Sequence, residues 1–385
     1  MLDRRVLGEV PKKPHLRQAA DTGGAIYEEC LTRAGFEGPF SILYHQHRPH
    51  EAEPYEVGLS FQPPTLAPSP GLLRRHYRCL GVAAGTTSAE SRTPLLVNRD
   101  VSVGFLRPTA ADPVYFANGD GDELFFVLEG SGVLRTVFGD LAFERGDYVV
   151  LPKGTQHRFV PTEGESQAWL WLEFGGALGL PARYRNAVGQ LRMDAPYSHR
   201  DFRGPVSVAP RDEGIRELVV KRRGGWHGYR ARHSPLDVLG WDGSVFPFAL
   251  PILAFSPRVG QVHLPPPVHA TFEAPGVLVC SFVPRPLDFH PNANPCPYPH
   301  SSVDVDEVLF YVNGAFGSRR GVGPGSLSHH PAGIAHGPHP GAYETPPPER
   351  FTDELAVMLD CTAPLDPTRA AQGLEDPTYH ASFRG

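Results

Sequence analysis

One pattern of glutamate, glycine, proline and histidine occurs twice in the chain and constrains its fold more than any other feature. In the first copy Glu123 is followed by Gly130, and a second block places Gly, Pro, Gly and His at positions 146, 152, 154 and 157. The second copy has Glu307 and Gly314, then the same residue types at 325, 331, 333 and 336. An apolar run follows each glutamate, as is typical of a strand, and Pro and Gly indicate turns. A repeat at an offset of about 180 residues predicts two similar β domains.

Composition supports a turn-rich β protein and argues against several other classes. The 385 residues include 42 Pro and 41 Gly, with 41% hydrophobic residues, so the chain can bury a core and is long enough for two domains. A net charge of −6 gives no reason to expect nucleic acid or an anionic membrane as a partner. Five scattered cysteines without a CxxC disfavour a disulfide framework or a cysteine zinc site. Without an apolar leader or a long apolar run, we expect a cytoplasmic protein.

The chain divides into four predicted parts. Residues 1–110 form an N-terminal wrapping segment with the first strands, and 111–180 form the core of the first β domain. Residues 181–250 are a linker with connecting strands, and 251–385 form the second, catalytic domain. Within the first part, Ile26–Phe36 is interpreted as a short helix, 40–44 and 95–105 as strands, and the Pro- and Ser-rich stretch 50–75 as a wrapping loop.

The second copy of the repeat carries a candidate metal site. His300 precedes Glu307, which begins the apolar run VLFYV ended by Asn-Gly, a signal for a tight hairpin. His336 follows the Pro and Gly of the second block, where a new strand is expected to start. Neighbouring antiparallel strands bring side chains to about 5 Å, so the three groups can converge. Two imidazoles and one carboxylate are the facial ligand set of non-heme Fe(II) oxygenases.

Both copies resemble cupin motifs, a Glu-x6-Gly block and a G-x5-P-x-G-x2-H block. This resemblance implies an all-β (mainly) fold, a bicupin of two jelly-roll barrels with short helices and wrapping loops. The first copy keeps Glu123 and His157 but has Phe116 where a third ligand is expected, so the N-terminal barrel is predicted to be metal-free. In the second copy Ser302 replaces a further histidine, which leaves a set of two histidines and one carboxylate.

Over nearly its whole length the sequence is also similar to the homogentisate 1,2-dioxygenase family. The likeness includes IYEECLTRAGFEGPF, LYHQHRPH, NGDGDELFFVLEGSG, AVGQLRMDAPYSHRDF, PYPH, SLSHHPAGIAHGP and GLEDPTYHASF. It implies an Fe(II)-dependent dioxygenase that converts homogentisate and O2 to 4-maleylacetoacetate in tyrosine and phenylalanine catabolism. The expected partners are a small aromatic acid and O2, and the expected assembly is a homo-oligomer, a trimer or a hexamer.

Some functional residues of the family match one position in this sequence, and others match two candidate positions. Fe(II) ligands fall on His300, Glu307 and His336, with Asp306 as a rival carboxylate that the Glu-x6-Gly repeat disfavours. The acid/base histidine falls on His263, with His269 as its competitor. Substrate contacts fall on Tyr298 and His330, and on Arg319 as the anchor of the substrate carboxylate, for which Arg320 would also serve. Where the family has an anchoring tyrosine, this chain has Phe316.

Other functions stay open at this point. A dioxygenase for another hydroxylated aromatic acid is the nearest alternative. A bicupin isomerase is a more distant alternative, disfavoured by the missing fourth ligand at Ser302. A non-enzymatic bicupin is disfavoured because one half keeps its three predicted ligands. A basic cluster around Trp226 and Tyr229 (Lys221, Arg222, Arg223, Arg230 and Arg232) is interpreted as a solvated or subunit-facing surface rather than an RNA site.

Overall fold

A computed structural model describes residues 2–19, 23–58, 63–68, 71–314, 316, 318–345 and 350–384. The first strands are β1 (Arg5–Gly8), β2 (Tyr27–Thr32), β3 (Phe40–His45), β4 (Ala52–Tyr55), β5 (Arg75–Arg78), β6 (Thr93–Val97), β7 (Val101–Leu106), β8 (Tyr115–Asn118), β9 (Asp122–Glu129), β10 (Gly132–Thr136), β11 (Gly139–Phe143), β12 (Asp147–Leu151), β13 (His157–Pro161) and β14 (Ala168–Phe174). The later strands are β15 (Glu217–Arg222), β16 (Gly225–Ala231), β17 (Val238–Gly243), β18 (Phe248–Pro251), β19 (Ala270–Ala274), β20 (Val277–Phe282), β21 (Arg285–Pro286), β22 (Asp306–Asn313), β23 (Ser326–His330), β24 (Phe351–Thr352), β25 (Leu355–Cys361) and β26 (Asp366–Pro367).

Helical structure is short throughout the described residues. Among the described residues, one α-helix, α1, spans Arg369–Gln372. Short 3₁₀ helices lie at Cys79–Gly81, Ala182–Tyr184, His199–Asp201, Ile252–Ala254, Pro266–His269 and Ala381–Arg384. In the part of the chain that is described, no helix has the length and apolar character needed to cross a membrane. The predicted fold class, mainly β with short helices, is confirmed.

Two seven-stranded sheets build the N-terminal half, in the orders β11-β10-β13-β8-β15-β16-β4 and β18-β12-β9-β14-β7-β6-β26. Strand β9 is buried on both faces, which explains why its sequence is apolar without alternation. On one face Phe125 packs against Phe159 of the opposite sheet, with ring centroids 5.0 Å apart. On the other face Phe126 meets Phe310 of the C-terminal half at 6.3 Å, so the two halves share one interface of packed sheets.

A six-stranded sheet, in the order β19-β20-β25-β22-β23-β5, carries the C-terminal half. On β22, Glu307 lies opposite His330 of β23 and opposite Asp360 of β25. On β9, Glu123 lies opposite Leu151 of β12 and Glu173 of β14 in the same way. The repeat seen in the sequence is therefore a repeat of strand pairing, with the two glutamates at matching places.

Two short strands cross between the halves. Strand β5, from the N-terminal wrapping segment, is the edge strand beside β23 in the C-terminal sheet. Strand β26, near the end of the chain, pairs with β6 at the edge of an N-terminal sheet. A four-stranded sheet, β1-β17-β3-β2, and a small pair, β21-β24, complete the described sheets. Each half is thus finished by residues from the other half of the sequence.

Three local predictions were wrong. The helix predicted at Ile26–Phe36 is strand β2, which pairs with β3 along its length, followed by a turn with Ala34 and Gly35 at positive φ. The predicted loop 50–75 contains β4, held by β16, although residues 59–62 and 69–70 lie outside the described part. Gly314 has the positive φ of 103° that a turn needs, but β23 begins only at Ser326, so Asn-Gly does not form a tight hairpin.

Candidate metal centre

Strand β22 and one isolated strand bridge position the three predicted ligands. Glu307 is the second residue of β22 and is buried. His300 and His336 form an antiparallel bridge in which each backbone N–H donates to the other carbonyl oxygen at 2.8 Å. His336 therefore lies in a single bridge rather than at the start of a full strand. The two imidazole rings lie 4.4 Å apart, on one side of the Glu307 carboxylate.

The ligand atoms converge without bonding to one another. His300 Nε2 lies 3.8 Å from Oε2 of Glu307, and His336 Nε2 lies 3.8 Å from its Oε1. One ligand atom from each residue lies within 4.8 Å of the other two, and no other such group of three was found among the described residues. These separations exceed hydrogen-bond length, so the atoms face one another across a gap of a size that a shared cation fills.

Backbone contacts orient both histidines. The Nδ1 atoms of His300 and His336 lie 3.3 and 3.2 Å from the carbonyl oxygens of Tyr298 and Ile334. Nδ1 must carry the proton to donate to a carbonyl, which leaves Nε2 with a lone pair. The Nε2 of His336 is buried and has no hydrogen-bond partner in the described structure. Burial also lowers the pKa of His336, so the ring is neutral and its orphaned lone pair fits a metal ion.

Asp306, the rival carboxylate, points to the other face of β22. Its oxygens accept hydrogen bonds from the backbone N–H groups of Ala332 and Leu365, at 2.8 and 2.9 Å, and contact Nε2 of His329 at 3.0 Å. Burial would raise its pKa, but these contacts outweigh burial and lower it. The geometry therefore favours Glu307 over Asp306.

In the N-terminal half, Asp122 has the same role as Asp306: it accepts hydrogen bonds from backbone N–H groups. Asp122 accepts from the backbone N–H groups of Lys153 and Leu178 at 2.7 Å each, and from Arg33 at 2.7 Å. The Asp-Glu pair is thus duplicated, with the aspartate fastening loops behind the strand and the glutamate facing inward. The shared dipeptide DE in both copies was a signal for this that sequence reasoning did not use.

His330 lies directly behind the candidate ligand. Its Nδ1 is 2.8 Å from Oε1 of Glu307 and its Nε2 is 3.2 Å from the hydroxyl of Tyr379. The side chain is fully buried and its ring stacks on His336 at 4.9 Å. Burial lowers the pKa of His330, and its hydrogen bond lowers the pKa of Glu307 despite the burial of that carboxylate. These contacts support a role in holding Glu307 and give no support to the predicted substrate contact.

Arg319 places a half-buried cation near the candidate ligand Glu307. Burial opposes its charge, but Tyr311, Tyr379 and Glu307 together raise its pKa. Its Nη1 is buried with no hydrogen-bond partner in the described structure, which is the condition of a donor that awaits an anion. Arg320, the alternative anchor, is exposed and donates to the carbonyl of Pro340 at 2.7 Å. The geometry favours Arg319.

His263 and Tyr298 lie near His300 and are more exposed than the buried Glu307 and His336. The His263 ring meets Tyr298 edge-on at 5.1 Å, and Tyr298 lies 6.4 Å from His300. Partial burial lowers the pKa of His263, so it is neutral near pH 7 and can accept a proton. His269 is instead packed against Phe255 and Phe282, and burial lowers its pKa to about 4. Of the two candidates, His263 has the better position.

The N-terminal half holds an arginine among the residues that repeat the metal ligands. Arg92 Nη1 donates to Oε1 of Glu123 at 2.6 Å, and Trp171 donates to the same oxygen at 2.9 Å. Burial lowers the pKa of His157 to about 4, and the charge of Arg92 contributes to this shift. A fixed guanidinium thus neutralises Glu123, which fits the prediction that this half binds no metal.

Asp360 was missed by the sequence reasoning. It lies on the same sheet face as Glu307, as its direct partner across the strands. Burial and the charge of Glu307 raise its pKa to about 7. Arg92, Asp360 and Tyr379 all lie outside the repeated motifs, and a single sequence offers no spacing rule that would have selected them.

Three of the five residues of the basic cluster form ion pairs within the protein. Lys221 forms an ion pair with Glu173, Arg222 with Asp120 at 3.2 Å, and Arg230 with Glu217 at 3.1 Å. The charges of these three side chains are thereby compensated within the protein.

Comparisons with known proteins show which family this chain belongs to. The family model described as homogentisate 1,2-dioxygenase N-terminal matches residues 87–252. A protein of Saccharolobus solfataricus named "Putative dioxygenase" is 33% identical over 382 residues, covering 98% of this chain and 97% of that protein. The chain belongs to the homogentisate 1,2-dioxygenase family.

More distant likenesses extend the comparison. A homogentisate 1,2-dioxygenase of Rhodopseudomonas palustris is 28% identical over 287 residues, which cover 70% of this chain and 63% of that enzyme. A cupin 2 conserved barrel domain protein from Leptotrichia buccalis aligns over 76% of this chain and 97% of its own, with 8% identity and a TM-score of 0.36. Membership of the homogentisate 1,2-dioxygenase family makes this chain a cupin dioxygenase.

Proposed function

We propose that the protein is an Fe(II)-dependent dioxygenase that cleaves the ring of a small hydroxylated aromatic acid, with homogentisate as the first candidate and 4-maleylacetoacetate as its product. The observation that carries the proposal is the convergence of His300, Glu307 and His336 around a gap, with the buried Nε2 of His336 left without a partner. Fe(II) held by this set would supply open coordination positions for a substrate oxygen and for O2.

The remaining residues would bind and prepare the substrate. His263, neutral and beside Tyr298, would take the proton of a ring hydroxyl as it enters. Arg319, whose Nη1 is unpaired, would bind the carboxylate and fix the orientation of the ring. Tyr298 would form one wall of the entrance. Positioning of this kind can supply a large part of a rate enhancement, because the reacting groups are held at contact distance.

A second candidate substrate class is favoured by one residue. Phe316, which replaces the anchoring tyrosine expected from the family, packs edge-on against Tyr311 with ring centroids 4.6 Å apart and offers no hydroxyl. The carboxylate would then rely on Arg319 alone or on Arg319 with Tyr311. Such a site would also suit a hydroxylated aromatic acid with a shorter or longer acid side chain.

The test starts with the full chain loaded anaerobically with Fe(II). Homogentisate and air are then added, and oxygen uptake and the absorbance of a ring-opened product are followed, beside a panel that includes gentisate and homogentisate methyl ester. One O2 consumed per homogentisate, and no uptake by His336→Ala, would support the proposal. Absence of uptake with every hydroxylated aromatic acid, from protein that has bound Fe(II), would overturn it.

A further inference from the structure

A buried hydrogen-bonded chain links the C-terminal segment to the metal centre. The hydroxyl of Tyr379 lies 3.2 Å from Nε2 of His330, whose Nδ1 lies 2.8 Å from Oε1 of Glu307. Tyr379 is 3% exposed, His330 is fully buried and Glu307 is 5% exposed. Water has little access to any of these groups, so each depends on its protein partners for hydrogen bonds.

The direction of this chain follows from the groups at its ends. An ionised carboxylate can only accept, so Nδ1 of His330 must carry the proton that faces Glu307. A neutral imidazole carries only one proton, and the carboxylate takes it at Nδ1. Nε2 therefore holds a lone pair, and the Tyr379 hydroxyl must donate to it. Without that donor, the ring could place its proton on Nε2 and turn a lone pair toward Glu307.

We propose that Tyr379 is a positioning residue of the metal centre, which fixes the tautomer of His330 and through it the orientation of the Glu307 carboxylate. The inference rests on the proposed function, because it assumes that Glu307 binds a metal ion. A donor that orients a ligand from behind typically changes metal affinity by 10–100-fold. Tyr379 is separated from Glu307 by one more hydrogen bond than His330 is. We therefore expect its loss to lower metal affinity by an amount near the lower end of this range, about tenfold.

Other contacts hold Tyr379 in place. Its ring packs edge-on against Phe383 at 5.4 Å, and Phe383 stacks on His339 at 4.0 Å. Nε2 of His339 lies 2.7 Å from the hydroxyl of Ser382. The segment that carries Tyr379 is thereby attached to the loop that carries His336. These packing contacts do not require the Tyr379 hydroxyl, so Tyr379→Phe separates the hydrogen bond from the packing.

The test uses Co(II) as a spectroscopic probe of the metal-free full chain. Tyr379→Phe should weaken Co(II) binding about tenfold and shift the visible Co(II) bands, with little change in melting temperature. Ser382→Ala is the matched control, since its hydroxyl contacts His339 and the carbonyl oxygen of Tyr379 but not His330, so it tests the packing of the same segment. It should bind Co(II) as the wild-type chain does.

A double-mutant cycle distinguishes positioning through His330 from a general structural effect. In a His330→Ala background, Tyr379→Phe should cause no further loss of Co(II) affinity, because the group it acts through is gone. Wild-type affinity in Tyr379→Phe, or an equal loss in both backgrounds, would overturn the inference while leaving the metal centre intact. A wild-type chain that binds no Co(II) would overturn the metal centre itself, and the inference with it.

Discussion

The guanidinium of Arg92 donates to the carboxylate of Glu123 at 2.6 Å, in the half of the protein that repeats the metal-centre motifs without the third ligand. In the C-terminal half the matching carboxylate, Glu307, faces the imidazoles of His300 and His336 at 3.8 Å. One copy of the motif thus contains its own cation, and the other offers ligands for one. This difference separates the chemistry of two otherwise similar halves.

Metal binding should depend on one copy of the repeated histidine only. His336→Ala removes a candidate ligand and should weaken Co(II) or Fe(II) binding by more than about a hundredfold. This exceeds the effect typical of losing a residue that only orients a ligand through a hydrogen bond. The matched variant His157→Ala should still bind one metal ion per chain. Equilibrium titration with metal analysis of the dialysed protein checks both, and loss of metal from His157→Ala alone would contradict the assignment.

Removing Arg92 should destabilise the fold without removing the metal. Arg92→Met leaves the buried Glu123 carboxylate without its cation, which typically costs about 3–5 kcal/mol of unfolding free energy. Arg92→Met with Glu123→Gln should recover much of the loss, since no charge is then left unpaired. Urea unfolding of wild type, both single variants and the double variant measures this, and a double variant as unstable as Arg92→Met would argue against the explanation.

Replacing Asp306 should lower the free energy of unfolding, whereas replacing Glu307 should abolish metal binding. In Asp306→Asn the new amide group must face one of the two backbone N–H groups that now donate to the carboxylate, so we expect a loss of about 1–3 kcal/mol. Co(II) binding should persist in Asp306→Asn and be lost in Glu307→Gln. Asp122→Asn, the equivalent change in the other half, should cost a similar free energy. The reverse pattern of metal binding would make Asp306 the ligand.

His45 should make stability depend on pH in the alkaline range. Burial lowers its pKa, but hydrogen bonds to Asp237 and Glu29 outweigh burial and raise it to about 9. Because the folded pKa lies above the unfolded value of about 6.5, this stabilisation is complete below that value and lost as pH rises through about 9. Each pKa unit corresponds to about 1.4 kcal/mol.

The variant His45→Gln keeps a hydrogen-bond donor but cannot lose a proton in this range. Its melting temperature should therefore fall less than that of the wild type between pH 7 and pH 10. The exposed His50→Gln serves as the control and should follow the wild-type curve. Parallel curves for wild type and His45→Gln would show that His45 carries no such charge.

Sequence reasoning reached the β class, the duplication and the convergence of His300, Glu307 and His336 because these rest on local patterns. The glutamates repeat with their glycines, and the second block repeats in full. The position of Glu307 opposite Asp360 could not be predicted from the sequence. Strand β25 lies far along the chain and pairs through backbone groups that all residues share. The same limit applies to Tyr379, which meets His330 only after the C-terminal segment has folded back.

The helix prediction at Ile26–Phe36 was wrong because strand pairing outweighed local helix propensity. The segment has residues compatible with a helix, but β3 offers it a full partner strand, from Tyr27 opposite His45 to Thr32 opposite Phe40. Pairing with the next strand along the chain outweighs a local helix preference when it satisfies the backbone along the whole segment.

The crossing of β5 and β26 between the halves has a consequence for how this protein could have evolved and how it can be dissected. A fragment cut between the repeats would expose an unpaired edge on each piece, because each piece would lack the strand lent by the other. Once such strands are exchanged, the two halves can no longer be separated by a single break in the chain, and each half becomes indispensable to the folding of the other.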